Sequence, residues 1–200
     1  VRRQRQMCIR DSYKVTAEVY DLNSKKVWGK SQKIDIPEDG VVNDIFTIDF
    51  PQNITQVHFI KLRLFDTKGK EVANTFYWRS NDKYEGRKTL TGPTSSGFED
   101  LSKLKQVQLK TRYQTYQEGD RHFIKAEIKN PSSTVAFFTQ LQLLGQDKKP
   151  VRPSFYTDNF FSLLPGESKT VIIETAASDM PSEPTFVVKG WNIKPSSFKL

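Results

Sequence analysis

Tyr156-Thr157-Asp158-Asn159-Phe160 gathers the side chains best suited to polar recognition in this 200-residue chain. Asp and Asn side chains bond their own backbone in turns, and the same groups can hydrogen-bond the hydroxyls of a sugar. Tyr156, Asp158 and Asn159 are therefore the candidates for contact with a ligand or a neighbouring domain. The competing role is an Asx-type turn joining two strands. Acid and nucleophile chemistry by side-chain carboxylates needs a pair of them held within reach of one bond. Here Glu18, Asp35, Asp49, Glu127 and Glu174 fall on solvent-facing positions of an alternating pattern or in turns. His58 and His122 stand far apart in sequence with no cysteine beside them, so no metal-ligand spacing arises. There is no Gly-x-Ser-x-Gly elbow and no glycine-rich phosphate loop. No catalytic residue, metal site or cofactor is assigned.

The elements that must position such a loop are strands. Ten Gly and ten Pro fall mostly between apolar stretches, and no 3.6-residue period is sustained, so the chain reads as all-β. A content of 36% hydrophobic and 12% aromatic residues suffices for packed cores in one large or two small domains. Tyr13, Val15, Ala17 and Val19 alternate with Lys14, Thr16 and Glu18, as a half-buried antiparallel strand requires. Further strands are expected at 26–36, 45–50, 57–65 and 71–79, with a hairpin turn at Asp66-Thr67-Lys68-Gly69. Residues 80–104 lose the alternation and have linker composition, with Tyr84 and Phe98 as the aromatics that could fasten it. Seven strands are expected beyond it, at 107–114, 122–130, 135–144, 154–156, 160–164, 168–175 and 185–191. Pro131, Pro150, Pro153, Pro165, Pro181 and Pro184 fall between these strands or at their ends, where a missing N–H breaks no ladder. Pro165-Gly166 fits the centre of a type II turn, because proline presets φ at about −65° and glycine accepts the positive φ that follows.

Residues 1–12, VRRQRQMCIRDS, have a different character, with four arginines, no alternation and the only cysteine, Cys8. The segment resembles a translated sequencing adapter; the other reading is a basic arm for an acidic surface. Without its four Arg and one Asp the net charge falls from +8 to +5 and no cysteine remains, which excludes a disulfide framework. The remaining basic residues alternate with apolar ones along strands, as at Lys61/Arg63 and Lys125/Lys129. They form solvated faces rather than the clustered stripe of a nucleic-acid binder. No window reaches the roughly 18 apolar residues of a membrane span, and the first residues lack the apolar core of a signal peptide. Strand neighbours point to opposite faces, so one member of each pair Tyr77/Trp78, Phe137/Phe138 and Phe160/Phe161 must face away from its own core. Such a residue docks a domain or contacts ligand.

The order of features over 130–174 is more specific than any one of them. Asn130-Pro131 opens an apolar strand, Thr157-Asp158-Asn159-Phe160-Phe161 follows, and Leu163-Leu164-Pro165-Gly166-Glu167 makes a turn. This order resembles the last immunoglobulin-like β-sandwich of the exo-β-D-glucosaminidase and β-mannosidase branch of glycoside hydrolase family 2. A looser likeness covers 13–79 and ends at Asn74-Thr75-Phe76-Tyr77-Trp78, where Thr75 is one residue more than the usual ending. The resemblance implies two immunoglobulin-like antiparallel β-sandwiches in tandem. The first, 13–79, is expected to be truncated at its N-terminus; a linker spans 80–104 and a complete sandwich 105–200. It further implies a parent enzyme, a retaining exo-β-glycosidase of terminal β-linked glucosamine or mannose. The two catalytic glutamates of such an enzyme sit on a (β/α)₈ barrel of the same parent chain. This chain alone is then expected to be inactive. Its role would be to scaffold the barrel and shape the pocket rim, meeting carbohydrate only through the parent. The resemblance favours a periplasmic or secreted location. The alternative is a free-standing β-sandwich module that binds glycan or protein.

Overall fold

The computed structural model describes residues 11–37, 39–81 and 97–200, and the chain divides into two compact units, Val1–Leu101 and Ser102–Leu200. Residues 1–10, Tyr84 and most of the expected linker lie outside the described residues. Phe98 is followed by a short 3-10 turn, Glu99–Lys103.

In the first unit, β1 (Asp11–Asp21), β2 (Lys26–Ile36), β3 (Val57–Phe65) and β4 (Glu71–Ser80) form one antiparallel sheet in the order β2-β1-β3-β4. The β3–β4 hairpin turns where Gly69 accepts φ +79° and Asp66 Oδ1 takes the Lys68 and Lys70 N–H groups, both at 2.9 Å. Register places Ala17 and Val19 of β1 on one face with Leu62 and Ile60 of β3. Val57, Phe59 and Lys61 take the other face, so the start of the central strand β3 is buried on both sides. The expected strand at 45–50 is irregular chain instead. Asp44, at φ +52°, and Pro51 bracket the run, and Phe50 lies with its ring 5.2 Å from that of His58. Its apolar residues therefore serve contact with the sheet rather than a ladder. Glu18 was expected to face solvent. It is instead half-buried, accepting from Tyr20 Oη at 3.0 Å and from Arg63 at 2.6 Å and pairing with Lys26.

The second unit is a sandwich of two antiparallel sheets. One consists of β5 (Lys110–Glu118), β6 (Arg121–Lys129), β8 (Phe155–Tyr156) and β10 (Ser168–Ala176), in the order β5-β6-β10-β8. The other consists of β7 (Ala136–Leu144), β9 (Phe161–Leu163), β11 (Thr185–Lys189) and β12 (Ser196–Lys199), in the order β12-β11-β7-β9. Period-two alternation fills the interior: Ile124, Ala126 and Ile128 of β6 and Val171 and Ile173 of β10 meet Leu141 and Leu143 of β7 and Phe186 and Val188 of β11. Pro165-Gly166 turns as its sequence requires, with Gly166 at φ +80° and Glu167 N–H donating to the Leu164 carbonyl at 3.1 Å.

Three details depart from the expected strands. The strand expected from 107 begins at Lys110, because Val107 is drawn into a parallel bridge with Ile193. The strand expected over 185–191 stops at Lys189. The last strand, β12, is extra; its run Ser196–Lys199 carries one large apolar residue, Phe198, too few to show an alternation.

Candidate functional site

The loop around Asp158 joins β8 to β9, which belong to different sheets. It meets the open edge of β7. Strand β9 pairs with β7 only at Ala136 and Thr139, which leaves the edge groups of Leu141 and Leu143 beyond its reach. Unpaired backbone groups there would carry a desolvation cost. The loop supplies the missing partners. Asn159 uses both ends of its carboxamide on one residue: Oδ1 accepts the Leu141 N–H at 2.8 Å and Nδ2 donates to the Leu141 carbonyl at 3.0 Å. Tyr156 Oη accepts the Leu143 N–H at 3.0 Å, and the Leu143 carbonyl takes the Val151 N–H at 3.0 Å. On the opposite side Thr157 repeats the trick on β10, its N–H donating to the Ile172 carbonyl and its hydroxyl accepting the Ile172 N–H, both at 3.0 Å. Residues 156–159 thus staple one sheet to the other through side chains that imitate a strand.

Asp158 is spent locally. Its Oδ1 accepts the Asn159 N–H at 2.7 Å and its Oδ2 pairs with Lys169, whose ammonium also lies 5.1 Å from the Phe161 ring centre. Burial pushes the Tyr156 phenol above its usual pKa, against the opposing pull of the Leu143 N–H. The structure brings Tyr156 and Asn159 together on β7 and sends Asp158 to β10. Two clefts, of about 660 and 480 Å³, are lined by other residues, including Tyr13 and Phe65 in the first unit and Lys148 and Glu183 in the second. Among the described residues no group of three His, Cys, Asp or Glu side chains is placed to hold a metal ion.

Two further asparagines do the same work, and sequence reasoning did not single out their side chains. Asn130 is fully buried: its Nδ2 donates to the carbonyls of Thr134 and Leu163 at 2.8 and 2.9 Å, and its Oδ1 accepts from Ser132 N and Oγ. Asn192 donates to the carbonyls of Lys105 and Val135, at 2.9 and 2.8 Å, and accepts the Phe137 N–H at 2.8 Å. The Asn130 backbone bonds Glu167 and Gly166, so the Asn-Pro opening and the Pro-Gly turn are one structural unit.

At the same end of β7 a bulge re-aims the aromatics. Ala136 pairs with Leu163 and Thr139 with Phe161, so one extra residue is accommodated between them. Phe138 and Phe160 both sit at φ +57°, uncommon for bulky side chains, and their exposed rings lie 5.4 Å apart. Phe137 and Phe161 are buried behind them. Gly190 permits the bulge, since a Cβ there would come within 2.8 Å of the Phe138 carbonyl oxygen. In the first unit Tyr77 and Trp78 are both exposed, on the edge strand β4.

In the second unit, two antiparallel sheets packed over one core define an immunoglobulin-like β-sandwich. Residues 89–193 match the family model described as the exo-beta-D-glucosaminidase Ig-fold domain, and residues 10–84 match the mannosidase Ig/CBM-like domain. The chain belongs to the exo-β-D-glucosaminidase Ig-fold family. Among curated relatives, the exo-β-D-glucosaminidase of Streptomyces avermitilis is 30% identical over 149 residues, covering 70% of this chain and 16% of the relative. That of Amycolatopsis orientalis is 25% identical over 189 residues, covering 88% of this chain and 18% of the relative. The crystal structure of the Amycolatopsis orientalis exo-chitosanase CsxA has the same fold, with a TM-score of 0.83 at 20% identity over 95% of this chain and 24% of that one. The chain therefore spans less than a quarter of the length of these relatives. Among the described residues no helix is long and apolar enough to cross a membrane.

Proposed function

We propose that this chain is the C-terminal accessory region of a retaining exo-β-glycosidase that removes terminal β-linked glucosamine, with the two catalytic carboxylates carried on a barrel in another part of the parent. The observation that carries this reading is the match of 89–193 to the glucosaminidase Ig-fold model. The relatives, several times longer, leave ample room for a catalytic domain. Mannose, the other sugar implied by the resemblance, is the weaker choice because the matching curated relatives are exo-β-D-glucosaminidases. The accessory role is scaffolding. Tyr156 and Asn159 already bond the backbone of β7, which favours support of the barrel over direct contact with sugar. The exposed Phe138 and Phe160 rings are the parts of this unit best placed to meet that barrel. We divide the region as 13–79 and 105–200 with a connector between them, the first unit completed by strands of the parent.

The test is a graft. Residues 13–200 replace the corresponding region of the Amycolatopsis orientalis enzyme, and hydrolysis of an aryl β-glucosaminide is measured beside that of the 200-residue chain alone. The reading expects turnover by the graft, none by the chain alone, and loss of soluble activity when the region is deleted. Turnover by the isolated chain, or full activity of the deletion, would overturn it.

A further inference from the structure

Asn53-Ile54-Thr55 is an Asn-x-Thr acceptor triplet with isoleucine in the middle. The chain has one other Asn-x-Ser/Thr spacing, Asn130-Pro131-Ser132, which is disqualified by its proline, and Asn130 is fully buried and bonded. Asn53 is its opposite. It occupies an exposed turn closed by the Ile54 N–H donating to the Pro51 carbonyl at 3.2 Å, and its carboxamide has no hydrogen-bond partner among the described residues. Thr55, two residues on, is committed to the fold: its hydroxyl accepts the Leu22 N–H at 2.9 Å and donates to the Val57 carbonyl at 2.7 Å. The triplet thus combines an exposed acceptor with a hydroxyl that the folded state consumes.

We propose that Asn53 is an N-glycan attachment site, filled as the chain enters a secretory compartment and before the sheet closes. The donor class is an oligosaccharide on a polyprenyl pyrophosphate. Asn53 Nδ2 forms a bond to C1 of the first sugar, the C1–O bond to the pyrophosphate breaks, and the lipid pyrophosphate leaves with the bonding pair. The amide gives up one proton and nothing is oxidised or reduced. The transferase reads the hydroxyl two residues after the asparagine, and in the folded chain that hydroxyl is bonded to Leu22 and Val57. Transfer therefore belongs to the unfolded chain, while the finished conjugate sits on an exposed turn where its bulk disturbs no packing. This inference does not depend on the enzymatic reading.

The experiment secretes the 200-residue chain behind a signal peptide from a eukaryotic cell that glycosylates a co-expressed control protein. Intact mass and peptide mapping are expected to show one N-glycan, at Asn53, released by peptide N-glycosidase with aspartate left in its place. Asn53→Gln is expected to abolish it without changing the melting temperature, and Thr55→Ser to retain it. Offered to microsomes with the lipid-linked donor, bacterially made chain is expected to be modified when unfolded and not when folded. An unmodified Asn53 in the secreted chain, or a glycan that persists in Asn53→Gln, would overturn the assignment. Equal modification of folded and unfolded chain would overturn its timing.

Discussion

The buried asparagines of the second unit and the buried histidine of the first show two ways in which a sheet carries a polar group. Asn130 and Asn192 complete backbone hydrogen bonding with both ends of an uncharged carboxamide, as the partly buried Asn159 does at the edge of β7. His58 is equally buried, yet neither of its ring nitrogens has a hydrogen bond of good geometry. Its neighbours are the Phe50 ring, Asp21 across from it on β1, and Arg79 across from it on β4, whose guanidinium lies over Phe50 at 4.8 Å. Burial holds the imidazole below its usual pKa; Arg79 adds to this, and backbone groups of Thr55 and Gln56 oppose it. The buried asparagines of the second unit carry no titratable proton, whereas the first unit buries an imidazole whose protonation is linked to folding.

The largest effect that would sharpen this comparison comes from the core itself. Phe186 is fully buried and clusters with the rings of Tyr113 and Phe198. Phe186→Ala is expected to destabilise the second unit by about 3–5 kcal/mol in denaturant unfolding. Asn192→Ala comes next. It removes three hydrogen bonds and leaves the buried Val135 carbonyl and Phe137 N–H without their partner, at an expected cost of about 2–4 kcal/mol. A cost below about 1 kcal/mol would mean that these backbone groups find other partners.

The first unit is expected to respond to pH instead. Between the lowered pKa of folded His58 and its unfolded value near 6.5, the unfolded chain binds more protons than the folded one. Stability then holds above that range and falls as pH drops through it, by at most about 1.4 kcal/mol per pH unit for one proton. Hydrogen exchange at the amides of β1 and β3, compared between neutral and mildly acidic buffer, reads this directly. His58→Phe is expected to flatten the profile, and an unchanged slope in that variant would assign it elsewhere. The smallest effect is at the partly exposed Asp158–Lys169 pair, where Asp158→Asn is expected to cost less than about 1 kcal/mol.

How far the sequence reaches follows the same division between local and distant partners. Alternation identifies β1, β6, β7 and β10 because each strand's own side chains carry the signal, and the Pro165-Gly166 turn is equally local. The run at 45–50 carries apolar residues for a different use, contact with the sheet through Phe50, and a short window cannot separate the two. The Phe137-Phe138 bulge depends on Gly190, and Asn192 reaches Val135, 57 residues away. Tyr156, Asp158 and Asn159 are visible as candidates because Asp and Asn stand out between apolar strands. Which partner each one takes is visible only once β7 lies beside Tyr156 and Asn159, and β10 beside Asp158.

The central claim is that residues 156–159 close the sandwich rather than meet the sugar. It is tested most directly by Asn159→Ala in the grafted full-length glycosidase, with the melt of the region and kcat/KM on an aryl β-glucosaminide measured on the same preparation. The expected result is a loss of about 1 kcal/mol in stability, with kcat/KM per folded enzyme unchanged. An unchanged melt with a clear fall in kcat/KM would contradict it.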